Sequence, residues 1–307
     1  MTKIFIDGSA GTTGLRIHER LAGRPELMVV TLPEELRKDV EARREALNGA
    51  DIAFLCLPDA AAIEAVGLVD NPHTASIDTS TAHRTAAGWT YGFPELVGRE
   101  AIAASKRVAN PGCHASGFVA LVAPLVRAGL LAADTPLTAF SLTGYSGGGK
   151  KMIADYEAAD RDPLLGAPRQ YALTQQHKHL PEMAALCGLT QAPVFCPIVG
   201  DFYSGMEVTV PLHTALLKGT VEEVKAVYRQ TYTGRLVHFD ETADEGGFLS
   251  AAALSGRDDL QITVTGNGDR LLLTARFDNL GKGASGAAIQ NMNILLGVEE
   301  TTGLVIG

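Results

Sequence analysis

In the N-terminal third of the chain, short runs of apolar residues alternate with longer runs of helical period. The apolar runs contain few polar residues, which is typical of strands in a parallel sheet covered by helices on both faces. The strands and helices alternate in the order KIFID, GTTGLRIHERLAG, ELMVVTL, PEELRKDVEARREALN, DIAFLCLP, DAAAIEAVGLV and TASIDTS. Leu15, His18 and Leu21 set the period of the first helix, and Pro33 is predicted to open one helix over residues 33–48.

After residue 115 the pattern changes. The segment LTAFSLTGYSGGGKKMIADYEA predicts a strand, a glycine-rich turn and a helix that begins at Lys150 and Lys151. The segments GMEVTVPLHTALLKG and DLQITVTGNGDRLLLTARFDN alternate as antiparallel strands do, and GNGD predicts a hairpin turn. A mixed, largely antiparallel sheet therefore follows the parallel one, which predicts an α/β domain and an α+β domain.

Length and composition permit two packed domains. The chain has 307 residues, of which 46% are hydrophobic, and its formal net charge is −9. No apolar run is long enough for a membrane span and the N-terminus has no signal-peptide pattern, so we expect no membrane contact. The negative charge argues against nucleic-acid binding, and an anionic substrate would need a local basic pocket.

The four cysteines have no paired spacing, which favours reduced thiols in a cytoplasmic protein. Cys56 and Cys196 lie in predicted strands and Cys187 at a predicted helix end, where thiols usually pack as small hydrophobes. Cys113 differs, because it follows Asn-Pro-Gly and precedes an apolar helical run. The free N–H groups and dipole of a helix N-terminus favour the thiolate, which is the nucleophilic form. Cys113 is therefore the candidate nucleophile.

A glycine triplet follows the first predicted strand. Gly8, Gly11 and Gly14 form a GxxGxxG variant of the dinucleotide fingerprint, although a simple strand-to-helix turn is an alternative. No acidic residue ends the second strand to bind a free ribose hydroxyl, and the next segment carries Arg37 and Lys38. These features favour NADP over NAD. The alternative is that Arg37 and Lys38 only form part of a solvent-exposed helix face.

The segment QQHKHLPEM places His177 and His179 two residues apart, with Glu182 behind them. In an extended chain both imidazoles would line one pocket. The alternative is that the two histidines only form hydrogen bonds within a loop. No third histidine or cysteine has zinc-ligand spacing, so no metal is expected.

Seven motifs make nearly the whole chain resemble the N-acetyl-γ-glutamyl-phosphate reductase family in its shorter form. They are GSAGTTG at the start, DTSTAHR, YGFPEL, NPGCHASG, GYSGGGKK, HKHLPE and DNLGKGASGAAIQNMN. The resemblance implies NADPH-dependent reduction of an acyl phosphate to N-acetylglutamate semialdehyde in arginine biosynthesis. It also implies a semialdehyde-dehydrogenase-like fold with a Rossmann-type NADP domain, residues 1–114 plus 281–307, and a catalytic and dimerisation domain, residues 115–280.

The resemblance further implies roles for individual residues. Cys113 forms a thioester, and His177 is the first choice and His179 the second for the acid–base group. A homodimer or homotetramer is expected. The predicted cofactor residues are Gly8, Ser9, Gly11, Thr12, Thr13, Gly14, Gly147, Asn279 and Asn291, together with Arg37 and Lys38, which rest on the sequence after the second strand rather than on the resemblance. The implied substrate residues are Arg84, which is preferred for phosphate, Asn110, Lys150, Lys151 and Glu182.

Three rival hypotheses remain at this point. Aspartate-semialdehyde dehydrogenase uses the same chemistry on a smaller substrate, although HKHLPE resembles the reductase. A catalytically silent NADP-binding sensor would leave Cys113 unreactive. A thiol hydrolase using Cys113 and His177 would have no use for the glycine fingerprint.

Overall fold

The structure, a computed structural model, describes residues 1–307. The chain divides into two compact units, each with its own sheet. The first unit comprises Met1–Pro111 and Ala284–Leu304, and the second comprises Gly112–Gly283 and Val305–Gly307. No helix combines the length and the apolar character that a membrane span requires.

The first unit contains a six-stranded sheet whose strands all run parallel. Its strands, in the spatial order β2-β1-β3-β4-β6-β5, are β1 (Thr2–Asp7), β2 (Leu27–Val30), β3 (Ile52–Leu55), β4 (Ala75–Asp78), β5 (Thr90–Tyr91) and β6 (Arg107–Ala109). Its helices are α1 (Thr12–Leu21), α2 (Val40–Asn48), α3 (Asp59–Gly67), α4 (Pro94–Val97), α5 (Arg99–Ala103) and α10 (Gly286–Leu295).

Buried side chains cover both faces of this sheet. Ile4 and Ile6 of β1 pack on one side with Ile17 of α1, and Phe5 packs on the other side with Leu47 of α2. Because successive side chains of a strand point to opposite faces, a strand buried on both faces must be apolar at every position. This explains the continuous apolar runs that predicted a parallel sheet.

Two local predictions in this unit are wrong. The buried face of α1 is formed by Gly14, Ile17 and Leu21, whereas Leu15 and His18 are exposed. Gly14 sets this face because it packs against the carbonyl of Gly8, where a side chain would not fit.

The predicted helix over residues 33–48 is also interrupted. A 3₁₀ turn (Glu34–Leu36) comes first, and α2 begins only at Val40. The side chain of Asp39 caps α2 by accepting a 2.8 Å hydrogen bond from the N–H of Ala42. Asp39, a favourable N-cap residue within the segment predicted as one helix, therefore starts a new helix.

The second unit contains a mixed seven-stranded sheet in the order β11-β12-β13-β10-β7-β9-β8. Its strands are β7 (Thr138–Gly144), β8 (Arg169–Gln170), β9 (Val194–Gly200), β10 (Met206–His213), β11 (Val237–Phe239), β12 (Leu260–Gly266) and β13 (Arg270–Phe277). Its helices are α6 (Cys113–Arg127), α7 (Gly149–Glu157), α8 (Leu180–Cys187) and α9 (Val221–Thr231).

Four pairs of neighbouring strands in this sheet are antiparallel and two are parallel. The predicted hairpin turn joins β12 to β13, where the N–H of Asn267 donates 2.8 Å to the carbonyl of Arg270. Helix α6 is buried from His114 to Leu125, as expected for a helix that is apolar on all sides. The predicted fold class, a parallel α/β unit followed by an α+β unit with a mixed sheet, is confirmed.

Candidate active site

Cys113 is the first residue of α6, a helix of 15 residues. Gly112 precedes it as the N-cap residue with extended backbone angles. The first-turn N–H groups of a helix have no partners within the helix, so the start of α6 next to Cys113 favours negative charge. The thiol is half-buried, and a Cβ on Gly283 would lie only 3.0 Å from its Cβ.

Glu182 fixes the turn that carries this cysteine. Its side chain is buried, and its Oε1 accepts a 2.8 Å hydrogen bond from the N–H of Gly112. The family resemblance implied a substrate contact for Glu182. The structure gives this carboxylate a structural contact with the chain immediately before the nucleophile.

His177 and His179 lie in a turn. The extended segment considered from the sequence, in which alternate side chains share a face, is not present here. The N–H of Leu180 donates 3.0 Å to the carbonyl of His177, and His179 has helical backbone angles as the N-cap residue of α8. The centroids of the two imidazole rings are 4.8 Å apart. The turn and the first residues of α8 therefore hold both rings together.

His177 is a neutral ring at physiological pH. Burial, with a smaller effect from the charge of Lys178, lowers the pKa of His177 to about 4. Its Nδ1 accepts a 3.2 Å hydrogen bond from the N–H of His179, which favours the tautomer with the proton on Nε2. His177 can therefore donate a hydrogen bond from Nε2 while it is uncharged.

A second group of residues in this unit was missed by the sequence interpretation. His114, directly after the nucleophile, contacts the hydroxyl of Ser141 through Nδ1 (2.7 Å) and that of Tyr171 through Nε2 (2.6 Å). The His114 ring also lies 5.5 Å from the rings of both His177 and His179. The available signal was a histidine next to a candidate nucleophile within an otherwise apolar helix.

The glycine turn of the first unit is shaped by close backbone contacts. Gly8 has φ +84°, and a Cβ there would lie 2.2 Å from the carbonyl oxygen of Cys56. A Cβ on Gly14 would lie 2.4 Å from the carbonyl oxygen of Gly8. Ser9 lies in the turn, Gly11 is the N-cap of α1, and Thr12 and Thr13 are the first two residues of that helix. Such a turn lets backbone N–H groups approach a pyrophosphate closely, so these residues fit a dinucleotide.

Arg37 and Lys38 are exposed and follow the 3₁₀ turn after β2. The Nε of Arg37 donates 3.3 Å to the carbonyl of Leu32. Both cations therefore lie shortly after the second strand, which is the region of a dinucleotide fold that contacts the ribose.

Three other groups support the turn or are chemically inert. Arg43 forms a buried ion pair with Asp7 at the end of β1, with Nη2 and Oδ2 3.0 Å apart. Burial raises the pKa of Cys56 to about 12 and raises that of Cys187 further. Neither thiol is a nucleophile at neutral pH.

The predicted substrate residues lie in both units. In the first unit, buried Arg84 donates from Nε to the carbonyl of Asn110 (3.0 Å) and from Nη2 to that of Thr79 (3.2 Å). The side-chain amide of Asn110 donates 3.0 Å to the carbonyl of Ala284. Two donor groups of Arg84 are therefore occupied by backbone oxygens.

Lys150 and Lys151, in the second unit, are exposed in the first turn of α7. Gly147, predicted to contact the cofactor, is exposed on the turn that precedes this helix. No three His, Cys, Asp or Glu side chains are grouped so that they could hold a metal ion.

The two predicted cofactor asparagines are buried and bonded to the protein. In the second unit, Asn279 accepts from the N–H of Gly205 (2.9 Å) and donates to the hydroxyl of Ser146 (3.0 Å). In the first unit, Asn291 donates 2.9 Å to the carbonyl of Gly92. Their contacts with a cofactor remain predictions.

Comparison with known proteins identifies the family. Residues 113–279 match the model of the semialdehyde dehydrogenase dimerisation domain. The chain is 47% identical over 311 residues to N-acetyl-gamma-glutamyl-phosphate reductase 2 of Pseudomonas putida, with 98% of each chain covered. It is 46% identical over 307 residues to N-acetyl-gamma-glutamyl-phosphate reductase of Burkholderia lata, with 97% of each chain covered.

Solved structures show the same fold at low sequence identity. Aspartate semialdehyde dehydrogenase II of Vibrio cholerae superposes with a TM-score of 0.72 at 16% identity, covering 96% of this chain and 98% of that one. The aspartate semialdehyde dehydrogenase of Francisella tularensis gives a TM-score of 0.71, also at 16% identity, covering 96% of this chain and 100% of that one. With the fold shared, and with full-length relatives at 46–47% identity, the chain belongs to the N-acetyl-γ-glutamyl-phosphate reductase family, as its motifs predicted.

Proposed function

We propose that the protein reduces N-acetyl-γ-glutamyl phosphate to N-acetylglutamate 5-semialdehyde with NADPH and releases phosphate, as a step of arginine biosynthesis. The observation that carries the proposal is Cys113 at the N-terminus of α6, in a chain 47% identical to a named reductase over nearly its whole length. An acyl phosphate needs a nucleophile that holds the acyl group for reduction, and a thiolate does this.

The proposed chemistry proceeds through Cys113. Its thiolate attacks the acyl carbon, the bond from that carbon to the phosphate oxygen breaks, and phosphate leaves with the electron pair. The product is a thioester held on the sulfur. NADPH, when bound, supplies the hydride that reduces the thioester carbon. The thiohemiacetal oxyanion left on Cys113 collapses, which breaks the carbon–sulfur bond, releases the aldehyde and regenerates the thiolate.

The N–H groups of the first turn of α6 and the Nε2–H of His177 are the proposed donors to the oxyanion. Donors fixed in place before reaction stabilise such charge at little reorganisation cost. As a donor to this oxygen, His177 is the proposed acid–base group, and His179 is the second choice.

The first unit is the proposed site of NADP. The close approaches at Gly8 and Gly14 support this assignment, because they keep the turn free of side chains where a pyrophosphate would bind. Arg37 and Lys38 are proposed to contact the 2′-phosphate. Replacing both with alanine should weaken NADP binding and leave NAD binding unchanged.

Arg84, Lys150 and Lys151 are the proposed contacts for the phosphate and carboxylate of the substrate. Each carries the positive charge that recognition of an anionic substrate needs on a chain with net charge −9. A thiol nucleophile works in a reducing compartment, so the proposal includes a cytoplasmic location.

We also propose that the protein is a homo-oligomer joined through the open face of the mixed sheet. On this face Phe140, Val194 and Leu272 are 41%, 56% and 45% exposed. Phe140 pairs with Thr209 of β10, which also pairs with Thr274 of β13, so these strands present one continuous surface. The match to a dimerisation domain over residues 113–279 supports a second copy of the chain as its partner.

The reaction run in reverse tests the proposed substrate, because an acyl phosphate decomposes in water. The protein is mixed with NADP, phosphate and either N-acetylglutamate semialdehyde or aspartate semialdehyde, and NADPH formation is followed. We expect phosphate-dependent NADPH formation with the acetylated aldehyde. Activity with the aspartate compound alone would replace the proposal by aspartate-semialdehyde dehydrogenase, and NADP binding without turnover would favour a sensor.

A further inference from the structure

His114 lies between two hydroxyl groups inside the second unit. Its Nδ1 is 2.7 Å from the hydroxyl of Ser141 and its Nε2 is 2.6 Å from that of Tyr171. Ser141 is completely buried and His114 is 3% exposed. Burial, aided by repulsion from the protonated form of His177 and from Lys178, lowers the pKa of His114 to about 3. The ring is therefore neutral at physiological pH and has one N–H to donate to one of its two neighbours.

The two directions of this chain differ in which hydroxyl hydrogen is left without an acceptor in the protein, that of the fully buried Ser141 or that of the less buried Tyr171. If Nδ1 carried the proton, it would donate to Ser141, and the hydroxyl hydrogen of Ser141 would be buried without an acceptor. A buried donor without an acceptor is strongly unfavourable. If Nε2 carries the proton, Ser141 donates to Nδ1, and Nε2 donates to the oxygen of Tyr171. The hydroxyl hydrogen of Tyr171, a half-buried residue, then points away from His114.

We propose that Ser141 and His114 together hold the Tyr171 hydroxyl as a hydrogen-bond donor to the acyl oxygen of substrate bound at Cys113. This inference rests on the proposed function and adds a residue to it. Tyr171 would be a catalytic residue, and Ser141 and His114 would be positioning residues that act through it.

Two observations locate Tyr171 at the site. Its ring centroid lies 5.9 Å from that of His177, and its hydroxyl interacts with the charge of Cys113. Burial, followed by that charge, raises the pKa of Tyr171 above its usual value. The phenol therefore keeps its proton at neutral pH and remains a donor. Negative charge grows on the acyl oxygen during thiolate attack and again during hydride addition, so a fixed donor favours both steps.

The tautomer of His114 tests the direction of the chain without any activity measurement. The ¹⁵N and ¹H NMR spectrum of protein labelled with ¹⁵N at its histidines shows which ring nitrogen carries the proton in each histidine. The set of signals that disappears in the His114→Gln variant belongs to His114. We expect a neutral ring protonated at Nε2. A ring protonated at Nδ1, or a charged ring, at neutral pH would overturn the proposal, even if the protein proves to be the reductase.

A double-mutant cycle tests whether His114 acts through Tyr171. Tyr171→Phe should lower kcat by roughly 10²-fold, the usual effect of removing an oxyanion donor, with little change in KM for the aldehyde. His114→Phe should lower kcat comparably, and adding it to Tyr171→Phe should cause little further loss. His114→Gln, which keeps an N–H donor, should recover part of the rate.

Exposed Tyr203, in the same unit, provides the control variant Tyr203→Phe, which should keep the parental rate. Two results in an active parent enzyme would contradict the inference: full activity in Tyr171→Phe, or multiplied losses in the double variant. An inactive parent would instead count against the proposed function, and the NMR result would still decide the direction of the hydrogen-bond chain.

Discussion

The carboxylate of Glu182 accepts a 2.8 Å hydrogen bond from the backbone N–H of Gly112, the residue before Cys113. Glu182 is only 2% exposed and lies in the first turn of α8. An acceptor with a negative charge makes a stronger hydrogen bond than a neutral one. Through this bond, helix α8 helps to fix the position of Cys113 at the start of α6.

Substitutions of Glu182 separate this positioning role from a substrate contact. Glu182→Gln keeps an oxygen acceptor for Gly112, so it should retain most of kcat. Glu182→Ala should lower kcat by roughly 10²-fold, since small displacements of a reacting group have effects of this size. Steady-state kinetics check both variants. If both variants instead lose catalytic efficiency equally, mainly through a higher KM, the result would support the charge-dependent substrate contact that the family resemblance implied.

Gly8 should be essential for cofactor binding. Gly8→Ala places a Cβ at φ +84° and 2.2 Å from the carbonyl oxygen of Cys56, so the turn must shift. We expect NADP affinity to fall by at least tenfold, or about 1.4 kcal/mol, in a titration followed by protein fluorescence. The control is Gly23→Ala, where a Cβ meets nothing within 4 Å. Unchanged NADP affinity in a folded Gly8→Ala protein would place the cofactor elsewhere.

Stability should fall as the solution is acidified below pH 6.5. The folded protein lowers the pKa of His114 to about 3 and that of His177 to about 4, from an ordinary 6.5. Between these values and 6.5 the unfolded chain binds more protons, so acid favours unfolding. Each ring should contribute up to about 1.4 kcal/mol per pH unit to the free energy of unfolding.

Urea denaturation at several pH values between 7 and 5 measures this slope. His114→Phe should reduce the slope, because it removes one of the two rings whose pKa the folded protein lowers. A parent protein whose stability is constant over this range would contradict the assignment of neutral, buried rings.

The open face of the mixed sheet should control oligomeric state. Phe140→Asp or Leu272→Asp places a charge on the apolar surface proposed to be buried between copies. Sedimentation velocity should show a smaller assembly for each variant than for the parent protein. Leu164→Asp, at a 70% exposed leucine on a 3₁₀ turn outside the sheet, is the control and should not change the assembly. Parental assemblies in both sheet variants would exclude this face.

The sequence predicted those parts of the fold whose signals are local. Continuous apolar strands identified the parallel sheet because both of its faces are covered, and an Asn-Pro-Gly turn before an apolar run located Cys113 at a helix start. The face of α1 was missed, because its position depends on contact between Gly14 and the carbonyl of Gly8. That contact is created by the folded turn and leaves no periodic pattern.

The candidate site was predicted less completely, since its contacts join residues far apart in the chain. His114 and Ser141 are 27 positions apart, and His114 and Tyr171 are 57 apart. Sequence spacing alone cannot show that the three side chains meet. Glu182 was singled out as a charged residue near two histidines, but its Gly112 partner, 70 positions away, became visible only in the structure.

The most direct test of the central claim is a pre-steady-state measurement of the reverse reaction without phosphate. N-acetylglutamate semialdehyde and NADP are mixed rapidly with the protein, NADPH is followed by absorbance, and the protein is then analysed by mass spectrometry. We expect a burst of one NADPH per active site, an acyl group on the Cys113 peptide, and sustained turnover only after phosphate is added. The absence of a burst, or an undiminished burst in Cys113→Ser, would contradict the covalent mechanism.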